Sequence, residues 1–159
     1  MTSICAAMGI AFTGIAVPEG SSEEDRRLLL EMFGLLGDAD LTEEGKLDAL
    51  TSLTGAAPAF FLELLEAAAM GGIQAGLPRA LAYKGAAAAV LGTARLVMDS
   101  GREPSELRDS ICTPGGMTIE GIAELERAGV RGAMMRAVTA TAEKGRVLTE
   151  TLLKNLERC

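Results

Sequence analysis

Histidine and tryptophan are absent from the 159 residues, aromatics make up only 3%, and there are three cysteines. Without histidine a Ser-His-Asp triad is excluded. Cys5, Cys112 and Cys159 form no CxxC pair, so a zinc site is not expected. Their odd number and wide spacing do not make a disulfide framework, and the cytoplasm is the expected compartment. Net positive charge is lacking too: the formal charge is −7. A nucleic acid or an anionic membrane surface is therefore not an expected partner. Residues 1–17 contain no Lys or Arg, unlike the basic start of a signal peptide, and the uncharged run Gly85 to Ala94 is too short to cross a bilayer.

Nucleotide-binding signatures are missing as well. No G-x-G-x-x-G turn opens a helix, and no G-x-x-x-x-G-K-[ST] loop occurs. Gly71-Gly72-Ile73-Gln74-Ala75-Gly76 has glycines at the wrong spacing, at the end of a helical pattern. No Rossmann domain is expected, and the chain does not read as a complete oxidoreductase.

What remains is rich in good helix formers. The hydrophobic share is 48%, supplied by Ala, Leu, Ile, Val and Met rather than by aromatics. This composition favours an all-α fold, with length suited to one domain. The punctuation predicts a bundle of about six to seven helices. Residues 1–20 form an N-terminal segment in which Ala11 to Val17 is extended, and residues 21–159 form the helical domain. Ser21 or Ser22 caps a first helix that starts with Glu23-Glu24-Asp25 and stops at Gly37. A loop from Asp38 to Leu41 leads to a helix over 42–54, interrupted at Gly55. Further helices are predicted from Pro58 to about Ala75, from Pro78 to Ser100, from Pro104 to Ile111, from Thr118 as cap to Ala128, and from Arg131 toward Leu156.

Two of these helices are apolar nearly all round. Residues 59–75 carry only Glu63 and Glu66 as charges, and residues 80–98 contain four successive alanines between Gly85 and Gly92. A helix apolar on every side is buried on every side. Gly85, Ala88, Ala89 and Gly92 share a face that lets another backbone approach. One short chain cannot enclose two such helices easily, whereas an intertwined homodimer can. A monomeric bundle around one central helix is the alternative.

The most distinctive segment is Cys112-Thr113-Pro114-Gly115-Gly116-Met117-Thr118. Two glycines followed at once by a helix start let backbone N–H groups converge, with the Thr113 and Thr118 hydroxyls beside them. Such geometry suits a small carboxylate. A plain interhelix turn with Thr118 as N-cap is the competing reading.

Together with Leu53-Thr54-Gly55-Ala56-Ala57-Pro58-Ala59-Phe60, Gly76-Leu77-Pro78-Arg79 and Gly101-Arg102-Glu103-Pro104, this segment resembles the C-terminal domain of pyrroline-5-carboxylate reductase. The resemblance spans roughly residues 10–150. It implies a dimerisation domain of the 6-phosphogluconate-dehydrogenase-like C-terminal kind, in a homodimer or a higher oligomer. The family reduces 1-pyrroline-5-carboxylate to proline with NAD(P)H, which is held by an N-terminal Rossmann domain that is missing here. By resemblance, Thr113, Gly115, Gly116 and Met117 hold the substrate carboxylate, Thr118 faces the imine nitrogen, and Met117 lies near the nicotinamide. The family's P-N-T near the interdomain junction is matched only by Thr2-Ser3-Ile4, and Ala56 and Ala57 replace family Ser and Gly or Ser. Glu66 matches a family Glu and reads as a hydrogen-bonded structural acid. Cys112 sits where family members carry Cys or Ser without a thiol role. Lys84 and Arg95 read as solvated or paired across the dimer.

Three functions stay open at this point. The chain is half of a reductase that needs a separate Rossmann-domain chain, a non-catalytic dimer binding proline-like acids, or a purely structural dimer. Ultracentrifugation at micromolar concentration is expected to give twice the protomer mass; lone protomers would overturn the paired architecture.

Overall fold

The computed structural model describes residues 2–156. Among them, helix dominates, as the composition implies: α1 (Glu23–Gly34), α2 (Leu47–Thr51), α3 (Ala57–Gln74), α4 (Arg79–Ser100), α5 (Pro104–Ile111), α6 (Met117–Arg127) and α7 (Val130–Leu156). The exception is a parallel pair of strands, β1 (Ala11–Ile15) and β2 (Gly37–Leu41), joined through α1. Contacts divide the chain into two compact units. One takes the chain up to Ala59 and α7 from Met134 onward; the other is Phe60–Ala133.

In the first unit, Ser22 caps α1, its hydroxyl oxygen accepting from Asp25 N–H at 3.0 Å. Glu23, Glu24 and Asp25 occupy the first turn, where the helix dipole favours them. Leu29, Leu30 and Phe33 are half-buried, and α1 packs on both strands. The expected loop at 38–41 is strand β2. Its alternation of Asp38 and Asp40 with Ala39 and Leu41 has period two, and pairing with β1 supplies hydrogen bonds that a loop would lack: Thr42 N–H donates to Ile15 O at 2.9 Å. The expected boundary after residue 20 therefore falls inside a β–α–β unit. β1 lies in the predicted extended segment and is buried at Ala11, Thr13, Gly14 and Ile15.

The helix expected over 42–54 is shorter and is not interrupted at Gly55. A 3₁₀ turn (Glu44–Lys46) leads into α2, a π turn (Ser52–Ala56) follows, and α3 continues directly. The π turn is the physical answer to Pro58. Proline has no N–H and crowds the preceding turn, and the wider turn, with Ala57 N–H donating to Ser52 O, lets the helix pass it. The run Glu44–Gln74 is the one helical stretch among the described residues long and apolar enough to cross a membrane by length and composition (hydropathy 1.4, 11% buried).

In the second unit, α3 from Phe60 and α4 pack near Gly72, where a side chain would meet Ala82 and Leu77 at 3.4 Å. Ala69, Ala82 and Leu107 are buried. Much of the apolar surface is not: Phe61, Leu62, Val90, Leu91 and Met98 are exposed, Leu91 at 68%. Space is open around Gly85 and Gly92.

Along α7, Arg146 pairs with both Glu143 and Glu150. Its guanidinium draws the Glu143 carboxyl below the ordinary carboxylate range. Cys5 and Cys112 are free thiols, while Cys159 lies outside the described residues.

One close approach ties the strand pair to the helix that follows it. A Cβ on Gly14 would lie 2.0 Å from Leu50 Cδ2 and 3.7 Å from Thr42 Cγ2. Gly14→Ala is expected to destabilise the chain by about 1–3 kcal/mol through overpacking. Leu50→Ala in the same chain should recover part of that loss, so the two substitutions are non-additive. Denaturant midpoints of the two single variants and the double variant check this.

Candidate anion-binding turn at the start of α6

The Gly-rich segment follows α5, which ends at Ile111 with Cys112 as its C-cap. Thr113-Pro114-Gly115-Gly116 forms a tight turn closed by Gly116 N–H donating to Thr113 O at 3.0 Å. Proline at the second position and a left-handed third residue (Gly115, φ +67°) define a type II turn. Gly116 is constrained differently, by space: a Cβ there would lie 2.3 Å from Thr113 Oγ1 and 3.1 Å from Thr113 O. Both glycines are thus demanded by the backbone.

Helix α6 starts at Met117, with Gly116 as N-cap and no side-chain cap. Thr118 was expected as the cap and instead stands inside the first turn. The physical reason is that Gly116 already has the extended backbone of an N-cap (φ −79°, ψ 167°). The N–H groups of Met117, Thr118 and Ile119 have no acceptor within the helix, and no side chain answers them. The dipole's positive end adds to the attraction for an anion. Thr113, Gly115, Met117 and Thr118 are all exposed, Met117 at 93%. The turn therefore brings together the five residues singled out from sequence: Thr113, Gly115, Gly116, Met117 and Thr118. Gly116, however, uses its own N–H to hold the turn, which leaves its neighbours as the donors. On α5, Asp109 accepts from Arg108 at 2.9 and 2.7 Å and holds that guanidinium above its ordinary range.

Two polar clusters lie on α3 and α4. Tyr83 donates its hydroxyl to Glu66 at 3.2 Å, and Arg79 both bonds that oxygen at 3.1 Å and covers the ring at 4.8 Å. Glu66 is thus the hydrogen-bonded acid expected, but it is exposed within the chain. The i, i+4 spacing of Arg79 and Tyr83 was the available signal. Arg95 is paired with Asp99 at 2.7 Å. Elsewhere, an open depression beyond the carboxyl ends of β1 and β2 is lined by Arg26, Lys46, Glu19, Glu43 and Glu44; Lys46 is already paired with Glu43 at 2.7 Å.

The β1–α1 turn does not fit a dinucleotide. Its residues, Ala16 to Ser22, include one glycine, and the helix it opens carries three acids in the first turn. Those carboxylates occupy the dipole end that a pyrophosphate would need.

A family model described as pyrroline-5-carboxylate reductase dimerisation matches residues 44–148. This chain belongs to that family. It is 41% identical over 149 residues to the pyrroline-5-carboxylate reductase of Glycine max, covering 94% of this chain and 54% of the relative. The chain spans about half the length of the curated relatives it matches. Among solved structures it is similar to a pyrroline-5-carboxylate reductase from Coxiella burnetii, with a TM-score of 0.89 and 24% identity over 93% of this chain and 55% of that one. It is also similar to pyrroline carboxylate reductase of Plasmodium falciparum with NADP bound, with a TM-score of 0.84 and 24% identity over 92% and 56%. At those identities the likeness speaks for the fold. The family match begins at Glu44, just past β2, and contains the whole turn at 113–118.

Gly115→Ala is expected to cost about 1–2 kcal/mol because it forces a left-handed alanine. Gly116→Ala should displace Thr113 and open the turn. In amide hydrogen exchange, residue 116 should exchange faster in Gly116→Ala than in the parent chain. Unchanged protection would contradict the packing described here.

Proposed function

We propose that this chain is the dimerisation and substrate-binding half of a pyrroline-5-carboxylate reductase, and that the turn at 113–118 takes the carboxylate of the cyclic imino acid. The observation that carries the reading is an uncapped helix start behind a glycine turn that both Gly115 and Gly116 make possible. In this reading the carboxylate sits on the N–H groups of Gly115, Met117 and Thr118, with the Thr113 and Thr118 hydroxyls at its flank. Gly116 shapes the cradle. The Thr118 hydroxyl orients the ring nitrogen, and Met117, held out from the helix, closes one side of the site. The role of these residues is to fix the imine in one orientation and to balance its charge. The nicotinamide supplies the hydride in this chemistry, and its binding groups belong outside this chain.

A second copy of the chain is the partner we assign to the exposed faces of α3 and α4. Family membership favours this over lipid as cover for the apolar stretch Glu44–Gln74. The small residues at Gly85 and Gly92 admit a closely crossing helix. Intertwining, higher oligomers and a cytoplasmic location are further parts of the same reading.

Proline, as a stable analogue of the imino acid, tests the pocket. At about ten times its dissociation constant it should raise Tm by about 3–5 °C, and Thr118→Ala should reduce that shift. No shift at millimolar proline, in a chain that sediments as a dimer, would favour a purely structural role.

A further inference from the structure

Charge is scarce where α3 and α4 meet, and what there is comes together at one place. Glu66 stands in the middle of a stripe on α3, with Leu62 four residues before it and Met70 four residues after. Tyr83 on α4 is in line with Ala87 and Val90. Leu62, Met70 and Val90 are exposed at 65%, 43% and 42% in one copy of the chain, and Glu66 and Ala87 are exposed with them. The Glu66–Tyr83–Arg79 cluster is thus flanked along both helices by apolar surface that the chain itself leaves open. Ala69 and Ala82, close by on the two helices, are buried, so the cluster borders the contact between α3 and α4. The cluster holds one negative and one positive group, joined through the Tyr83 hydroxyl at 3.2 Å from Glu66 and 3.1 Å from Arg79. The guanidinium also lies over the ring, at 4.8 Å. A hydrogen-bonded group without net charge can be taken out of water where a lone charge cannot. Among the described residues, the Glu66 carboxylate is bonded through Oε1 and the Arg79 guanidinium through one terminal nitrogen. Both keep bonding capacity for groups that another surface brings.

We infer that the second copy closes over this cluster, and that Glu66, Tyr83 and Arg79 are the polar key that sets the register of the dimer. This rests on the assignment of the α3 and α4 faces to a second copy, which the match of residues 44–148 to a dimerisation family supports. It adds a device for recognition. Helix faces of Ala, Leu, Val and Met pack against one another in more than one register, because each register buries similar apolar area. A polar group inside such a face admits only the registers in which it stays satisfied. Twofold symmetry brings two such keys to the interface, one from each protomer, so a slip of one helical turn leaves both unsatisfied.

Tyr83 is the only tyrosine and the chain has no tryptophan, so tyrosine fluorescence reports on the cluster alone. In the dimer, acrylamide should quench it with less than about a tenth of the constant for free N-acetyltyrosinamide. Stronger quenching, in a chain that sediments as a dimer, would overturn the inference without any variant. Glu66→Leu leaves the Arg79 charge without its counterpart and should weaken dimerisation on the order of a hundredfold. Replacing the whole cluster, by Glu66→Leu with Tyr83→Phe and Arg79→Leu, should return the dissociation constant to within about tenfold of the parent chain's. That triple variant should also give more than one set of amide resonances for residues 60–95, the mark of mixed registers. An unchanged dissociation constant in Glu66→Leu, or a single set of resonances in the triple variant, would equally overturn it. A parent chain that sediments as lone protomers would sink the assignment of a second copy itself, so the two failures are told apart.

Discussion

Apolar helix surface in excess of what one chain can cover is the constraint on which the architecture depends. α3 from Phe60 and α4 present leucines, valines and methionines to solvent in a single copy. Each fully covered side chain of that kind contributes about 1.5–3 kcal/mol, so leaving them in water works against a stable protomer. Charges do not resolve this. Glu66 is drawn into the Tyr83 and Arg79 cluster, which fixes how α3 and α4 lie against each other and leaves the apolar residues uncovered. The family's description as a dimerisation domain follows the same logic.

In the proposed site, backbone groups rather than acid or base side chains would meet the ligand. A turn that needs two glycines for two different reasons, one of conformation and one of space, holds the start of α6 open. Its preorganisation is internal, because the Gly116 to Thr113 hydrogen bond closes it before any ligand arrives. The absence of histidine thus excludes triad chemistry but does not bear on the proposed anion site, which uses backbone N–H groups.

Most of the helices were legible from Pro at their starts and Gly past their ends; α4 and α5 begin and end within a residue or two of the expected positions. The turn at Thr113–Gly116 was legible from its Pro-Gly-Gly string before a helix start, while the ligand roles proposed for it came from the family resemblance. What sequence could not yield was β2. Asp38 and Asp40 have poor strand propensity, and only the pairing with β1, distant in sequence, makes that segment a strand. Pro58 misled in another way. Proline after Gly55 reads as a break between helices, yet the chain passes through without one. Thr118 looked like a cap because threonine often is, but the backbone of Gly116 had already taken that place.

The wide turn at Ser52–Ala56 has a consequence for phase. One added residue in the turn breaks the 3.6-residue repeat locally. The three-residue spacing of Leu47, Leu50 and Leu53 therefore does not hold one face into the turn: Leu47 and Leu50 are half-buried, and Leu53, inside the turn, is exposed at 54%. The apolar stripe that begins on α2 thus ends at the turn, where a uniform helical repeat would have carried it on.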